Sequence, residues 1–133
     1  MPKHVINRAS EVLSSAGKPL SKSKILIIGM TYKTEIDDLR ESPGLEVFEM
    51  LEKRGANVQF HDFYAREFVD ISGKKHFSIP EINPNTLATY DLGIVITPHK
   101  KYDFTEILKH MPLLLDCRNA VEGPLSEKLH RLG

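Results

Sequence analysis

Three cations and one aromatic ring stand where this 133-residue chain can grip an anion: Lys33 with its neighbour Tyr32, then Arg40, then Arg118. Lysine meets a phosphate as a point charge, whereas arginine presents paired N–H donors that match phosphate oxygens. Tyr32 adds a flat face on which a base can stack or beneath which a ribose can pack. Arg40 has a second reading, as the ion-pair partner of Asp37 or Asp38 in a braced loop. The chemistry is that of holding an anionic nucleotide, and no residue set for bond making or breaking accompanies it.

The remaining reactive side chains point to structural roles. Cys117 is the sole cysteine, and as a small thiol at the end of an apolar run it reads as a packed residue. The histidines, His4, His61, His76, His99, His110 and His130, stand singly, with no paired spacing on a helix and no second cysteine, so no protein-bound metal is expected. Asp62 occupies the place after a second strand where a ribose-gripping acid sits in dinucleotide sites. The glycine pattern that must accompany it is missing, because only Gly29 follows the first strand. Asp62 is therefore read as a turn or capping residue.

The elements that position these residues follow from the apolar pattern. Val5, Ala9, Val12, Leu13 and Ala16 recur at helical spacing before Gly17 and Pro19. Lys24 to Gly29 is a short apolar run, the mark of a parallel strand covered on both faces. Thirteen residues, Met30 to Ser42, precede the next helix, well beyond the two to six usual in a βα connection, and such length is more often functional than idle. Ser42-Pro43 then starts a helix that ends at Gly55, and a strand over 57–61 follows. Short irregular pieces are expected from Asp62 to Tyr90, with a turn at Ser72-Gly73-Lys74-Lys75. Strands over 92–96 and 112–116 flank a short helix marked by Phe104, Ile107 and Leu108. A last short helix is expected from Gly123-Pro124 through Leu125, Leu129 and Leu132. The sum is an α/β, Rossmann-like fold: one domain with an open, mostly parallel sheet flanked by helices and the first strand central.

The totals bound the partners. Lys and Arg number 18 and Asp and Glu 18, so there is no overall field to draw nucleic acid or an anionic membrane. No apolar run approaches the roughly 20 residues of a spanning helix, and one cysteine suits a reducing, cytoplasmic location.

The run Ile27-Ile28-Gly29-Met30-Thr31-Tyr32-Lys33, continued by Asp37-Asp38-Leu39-Arg40-Glu41-Ser42-Pro43, resembles the hallmark of the C-terminal, UDP-binding domain of the UDP-glucose and UDP-N-acetylmannosamine 6-dehydrogenases. Met1-Pro2, Gly55-Ala56-Asn57-Val58 and Asp116-Cys117-Arg118-Asn119 are similar to further marks of that family. The resemblance implies residues 1–20 as the end of an interdomain helix and linker, and 21–133 as a Rossmann-like domain that binds UDP. It implies Tyr32, Lys33 and Arg118 at the nucleotide, and a signature loop, including Arg40, of mainly architectural role. It also implies a larger homodimeric enzyme of nucleotide-sugar metabolism and polysaccharide biosynthesis, with N-terminal and central domains beyond this chain. That enzyme oxidises a UDP-sugar at C6 with NAD held by its N-terminal domain and a nucleophilic cysteine upstream. Tyr32-Lys33 resembles the N-acetylhexosamine branch more than the glucose branch. On this reading the chain has no catalytic residue and no cofactor of its own. The alternatives are a free-standing nucleotide-binding or assembly module, and a small α/β enzyme using Cys117.

Overall fold

The computed structural model describes residues 2–31 and 42–132. Along the chain run α1 (Pro2–Ser15), β1 (Lys24–Ile28), α2 (Pro43–Lys53), β2 (Asn57–His61), β3 (Glu67–Val69), β4 (Lys75–Phe77), α3 (Pro84–Leu87), β5 (Leu92–Val95), α4 (Phe104–His110), β6 (Leu114–Asp116) and β7 (Leu129–Arg131). Five strands form one parallel sheet in the order β2-β1-β5-β6-β7, while β3 and β4 pair separately as an antiparallel hairpin. The order puts β1 in the interior between β2 and β5, with β5 at the midpoint of the five.

Alternation along the strands divides the core into two layers. Ile25 and Ile27 of β1 face α1 and α2, packing with Val5, Leu13, Val47 and Phe48. Leu26 and Ile28 face the opposite side, where Leu87 of α3 and Ile107 of α4 cover them. Burial on both faces is why β1 reads as an unbroken apolar run. Helix α1 belongs fully to the first layer, since Val5, Ile6, Ala9 and Leu13 are all inaccessible to solvent.

The expected helix after Gly123-Pro124 is replaced by a strand. Leu129, His130 and Arg131 pair in parallel with Leu114, Leu115 and Asp116. Leu129 is buried and Leu125 remains 58% exposed, so the apolar spacing does not form one helical face. A helix this short gains little on its own, whereas β7 satisfies the open backbone edge of β6. Strand ends also shift by one or two residues: β1 stops at Ile28, β5 at Val95, and β6 begins at Leu114.

Candidate functional site

The ends of the strands meet at one edge of the sheet, and two buried aspartates organise the loops that leave it. Asp62, directly after β2, is 4% exposed. Its Oδ2 accepts the Met30 N–H at 2.7 Å and the Thr31 N–H at 3.0 Å, and its Oδ1 accepts those of Tyr64 at 2.7 Å and Ala65 at 3.2 Å. His99 Nε2, from the loop after β5, lies 3.1 Å from the same Oδ2 and 2.9 Å from Thr31 Oγ1. Burial alone would raise the Asp62 pKa. The hydrogen bonds from His99, Thr31, Tyr64 and Met30 outweigh it and bring the value down to about 2.

These contacts fix the start of the long connection after β1. Gly29 turns the chain there at φ +83°, and a Cβ in its place would come within 2.0 Å of Thr97 O. Only glycine supplies that turn at that closeness. The far end of the connection is tied to the near end: Ser42 donates its hydroxyl to Met30 O and accepts the Gly44 N–H at 3.2 Å as the N-cap of α2. Thr97 Oγ1 donates to Thr31 O as well. The backbone at Met30 and Thr31 is thereby held by β2, β5 and α2 together.

Tyr32, Lys33 and Arg40, with Asp37, Asp38 and Glu41, lie outside the described residues, so their expected contacts and the choice of roles for Arg40 rest on the sequence. Arg118 is exposed, in the loop after β6. Asp116 shapes this loop by accepting the N–H groups of Arg118 and Ala120 at 3.1 Å each and of Val121 at 2.7 Å. Asn119 adopts the left-handed conformation, φ 56°, that asparagine tolerates well. The Arg118 guanidinium donates to Ile96 O at 3.3 Å, over the end of β5 and thus toward the exit of β1. Arg131 of β7 braces the loop from behind, donating to Val121 O at 2.7 Å and Gly123 O at 3.2 Å, with Nε 3.9 Å from Asp116 Oδ2. A cleft of about 430 Å³ opens between Arg118, Asn119 and Arg131.

Cys117 is half-buried, and its N–H donates to Val95 O. Burial, with the Asp116 charge added, pushes its thiol up to about 12, so the thiolate a nucleophile needs is suppressed. His61 is buried after β2 and shares a 2.9 Å contact with the Tyr102 hydroxyl, which itself donates to His61 O. Burial, aided by His99 and opposed by Asp62, lowers its pKa to about 4 and leaves the imidazole neutral at pH 7. From the sequence Asp62 has a turn or capping role, and His61 and His99 stand singly. Asp62 does cap, and it also gathers the exits of β1, β2 and β5. The one signal in the sequence was the place of Asp62 directly after β2, and Thr97 and His99 lie in the loop after β5 with no spacing that ties them to it.

Two features of the described residues differ from a dinucleotide cradle. The acid that would hold the adenosine ribose is Asp62, and its carboxylate is buried and fully engaged by four N–H groups and His99. The strand exit has one glycine where three are needed. The fold is that of a Rossmann-like α/β domain whose loops after β1, β5 and β6 leave one edge of the sheet.

Residues 26–123 match the model of the UDP-glucose/GDP-mannose dehydrogenase family, UDP binding domain, and the chain belongs to that family. It is 31% identical over 136 residues to a UDP-N-acetyl-D-mannosamine dehydrogenase of Methanococcus maripaludis, covering 96% of this chain and 30% of that protein. It is 32% identical over 116 residues to a UDP-glucose 6-dehydrogenase of Rhizobium meliloti, covering 82% and 26%. The structure of a UDP-D-ManNAc dehydrogenase from Pyrococcus horikoshii superposes with a TM-score of 0.77 at 22% identity, over 98% of this chain and 30% of that one. The chain thus spans about 30% of the length of the relatives it matches. Among the described residues no helix is long and apolar enough to cross a membrane.

Proposed function

We propose that this chain is the C-terminal domain that holds the UDP half of a UDP-sugar in an NAD-dependent nucleotide-sugar 6-dehydrogenase. Lys33 and Arg118 act as the cation donors, with Tyr32 at the base or ribose and Arg40 at or beneath the diphosphate. The observation that supports this most is the Arg118 guanidinium laid over the end of β5, toward the loop that begins at Thr31 and carries Lys33 in the sequence. Residues 1–20 are read as the end of an interdomain helix with its linker, and 21–133 as the nucleotide domain. In the whole enzyme NAD and the oxidation of the sugar C6 belong to other domains. This chain's part is to bind, orient and shield the nucleotide. A cytoplasmic homodimer acting on a UDP-N-acetylhexosamine is the form this reading favours.

Calorimetric titration with UDP and with NAD, run beside a 6-dehydrogenase assay, tests the proposal. UDP should bind to the isolated chain, NAD should not, and no turnover should occur. NAD binding, or turnover lost on Cys117→Ser, would overturn it.

A further inference from the structure

The far edge of the sheet carries a cluster that nucleotide binding does not use. Glu52 in the last turn of α2, Asp70 just after β3 and His76 in β4 bring three ligand atoms within 4.8 Å of one another. The His76 ring is held by its neighbours, stacked on Phe68 at 4.9 Å and edge-on to Phe48 at 4.7 Å. Its Nε2 faces Asp70 Oδ2 at 2.8 Å and Glu52 Oε1 at 3.9 Å. Asp70 is fixed too, because Oδ1 accepts the Ser72 N–H, the Ser72 hydroxyl and the Lys74 N–H at 2.9, 2.6 and 2.9 Å. Both side chains are about nine-tenths buried.

Glu52 is out of place electrostatically. A carboxylate in the last turn of a helix faces the negative end of the dipole. Among the described residues its carboxylate makes one contact, to His76, at a distance too long for a hydrogen bond. Lys75, the nearest cation in sequence to His76, faces the other side of the hairpin and pairs with Glu67 at 3.5 Å. Two carboxylates and a helix C-terminus therefore converge on one imidazole, a set of donor atoms and charges that a dication matches. One imidazole nitrogen with two carboxylate oxygens, and water in the fourth position, suits a zinc-type ion at about 2.0–2.2 Å from each ligand. Opening the His76–Asp70 contact by a fraction of an ångström and closing in the one-third-exposed Glu52 completes such a set. The ion takes up the Nε2 lone pair, so a neutral imidazole binds with its proton on Nδ1.

We propose that Glu52, Asp70 and His76 bind one divalent transition cation of the zinc class, which fastens the β3–β4 hairpin to the end of α2. A two-stranded hairpin is marginal by itself, and this one leaves Val69, Ile71 and Phe77 exposed on its outer side. Arg118 follows β6, three strands away from the β2 edge, so the two sites are separate.

The test uses the metal-free chain carrying Cys117→Ser, titrated with Zn²⁺ by calorimetry and with Co²⁺ by visible absorption. One ion per chain, a raised Tm and tetrahedral Co²⁺ bands are expected. Glu52→Gln, at a partly exposed position, should weaken binding more than about tenfold, as a lost ligand must exceed a lost supporting contact. Asp70→Asn should do the same. His110→Ala, which breaks a separate 3.3 Å pair with Glu106, should leave binding unchanged. No saturable binding to the folded chain would overturn the proposal, as would binding that survives Glu52→Gln and Asp70→Asn but is lost in His110→Ala. UDP affinity read on the same samples bears on the nucleotide site alone, so the two proposals fail separately.

Discussion

Asp62 shows how one side chain can serve three strand exits. Its carboxylate receives N–H groups from the loops after β1 and β2 and faces His99 from the loop after β5. Its folded pKa lies below its ordinary 3.8, at about 2. The stability it contributes is therefore present above pH 3.8 and lost as pH falls toward about 2. His61 acts in the same direction for a different reason: burial lowers its pKa from 6.5 to about 4, so protonating it costs stability as pH falls through that range. Urea unfolding at a series of pH values should show stability falling in two stages, the upper from His61 and the lower from Asp62 together with Asp70 and Asp91, whose carboxyls are also held low by hydrogen bonds. Asp62→Asn should shrink the lower stage without abolishing it and cost about 2 kcal/mol at neutral pH. A flat profile between pH 7 and 4 would contradict the His61 assignment. Little of this was legible in the sequence, because Thr31, Asp62 and His99 are isolated letters that only the parallel sheet brings together.

At the scale of elements, what was legible was what local chemistry decides. The apolar run at Ile25–Ile28, the cap and proline at Ser42-Pro43 and the turn at Gly55 each carry their own signal, and β1, α2 and β2 appear where expected. β7 was not legible, since it owes its conformation to the open edge of β6 rather than to its own pattern. Its role reaches beyond the sheet: Arg131 donates to Val121 O and Gly123 O and lies 3.9 Å from Asp116, closing the loop that presents Arg118. Arg131→Ala should cost about 1 kcal/mol in stability by leaving the part-buried Val121 carbonyl without its donor. It should also weaken UDP binding several-fold without touching the ligand. If the variant loses stability yet binds UDP unchanged, β7 supports the fold and not the site. The cluster proposed to bind a cation was hidden for a similar reason, as Glu52, Asp70 and His76 come from a helix, a turn and a strand with no motif spacing.

For the whole molecule, the parallel sheet divides labour between its edges. The carboxyl ends of β1, β5 and β6 gather the loops proposed to hold the nucleotide, and β2 with the hairpin carries the proposed cation site. The length of the Met30–Ser42 connection marked it in the sequence as the place to look. The structure adds why its base is firm, through Asp62, Thr97 and the Ser42 bond to Met30. The central claim is that this edge holds UDP between Lys33 and Arg118. Its most direct test is calorimetric titration of UDP into the chain and into Lys33→Ala, Arg118→Ala and the double variant, with folding checked by circular dichroism. Each single variant should lose about 1.5–3 kcal/mol of binding, the range for a hydrogen bond to a charged group, and the double variant more. UDP affinity unchanged in a folded double variant would contradict the account.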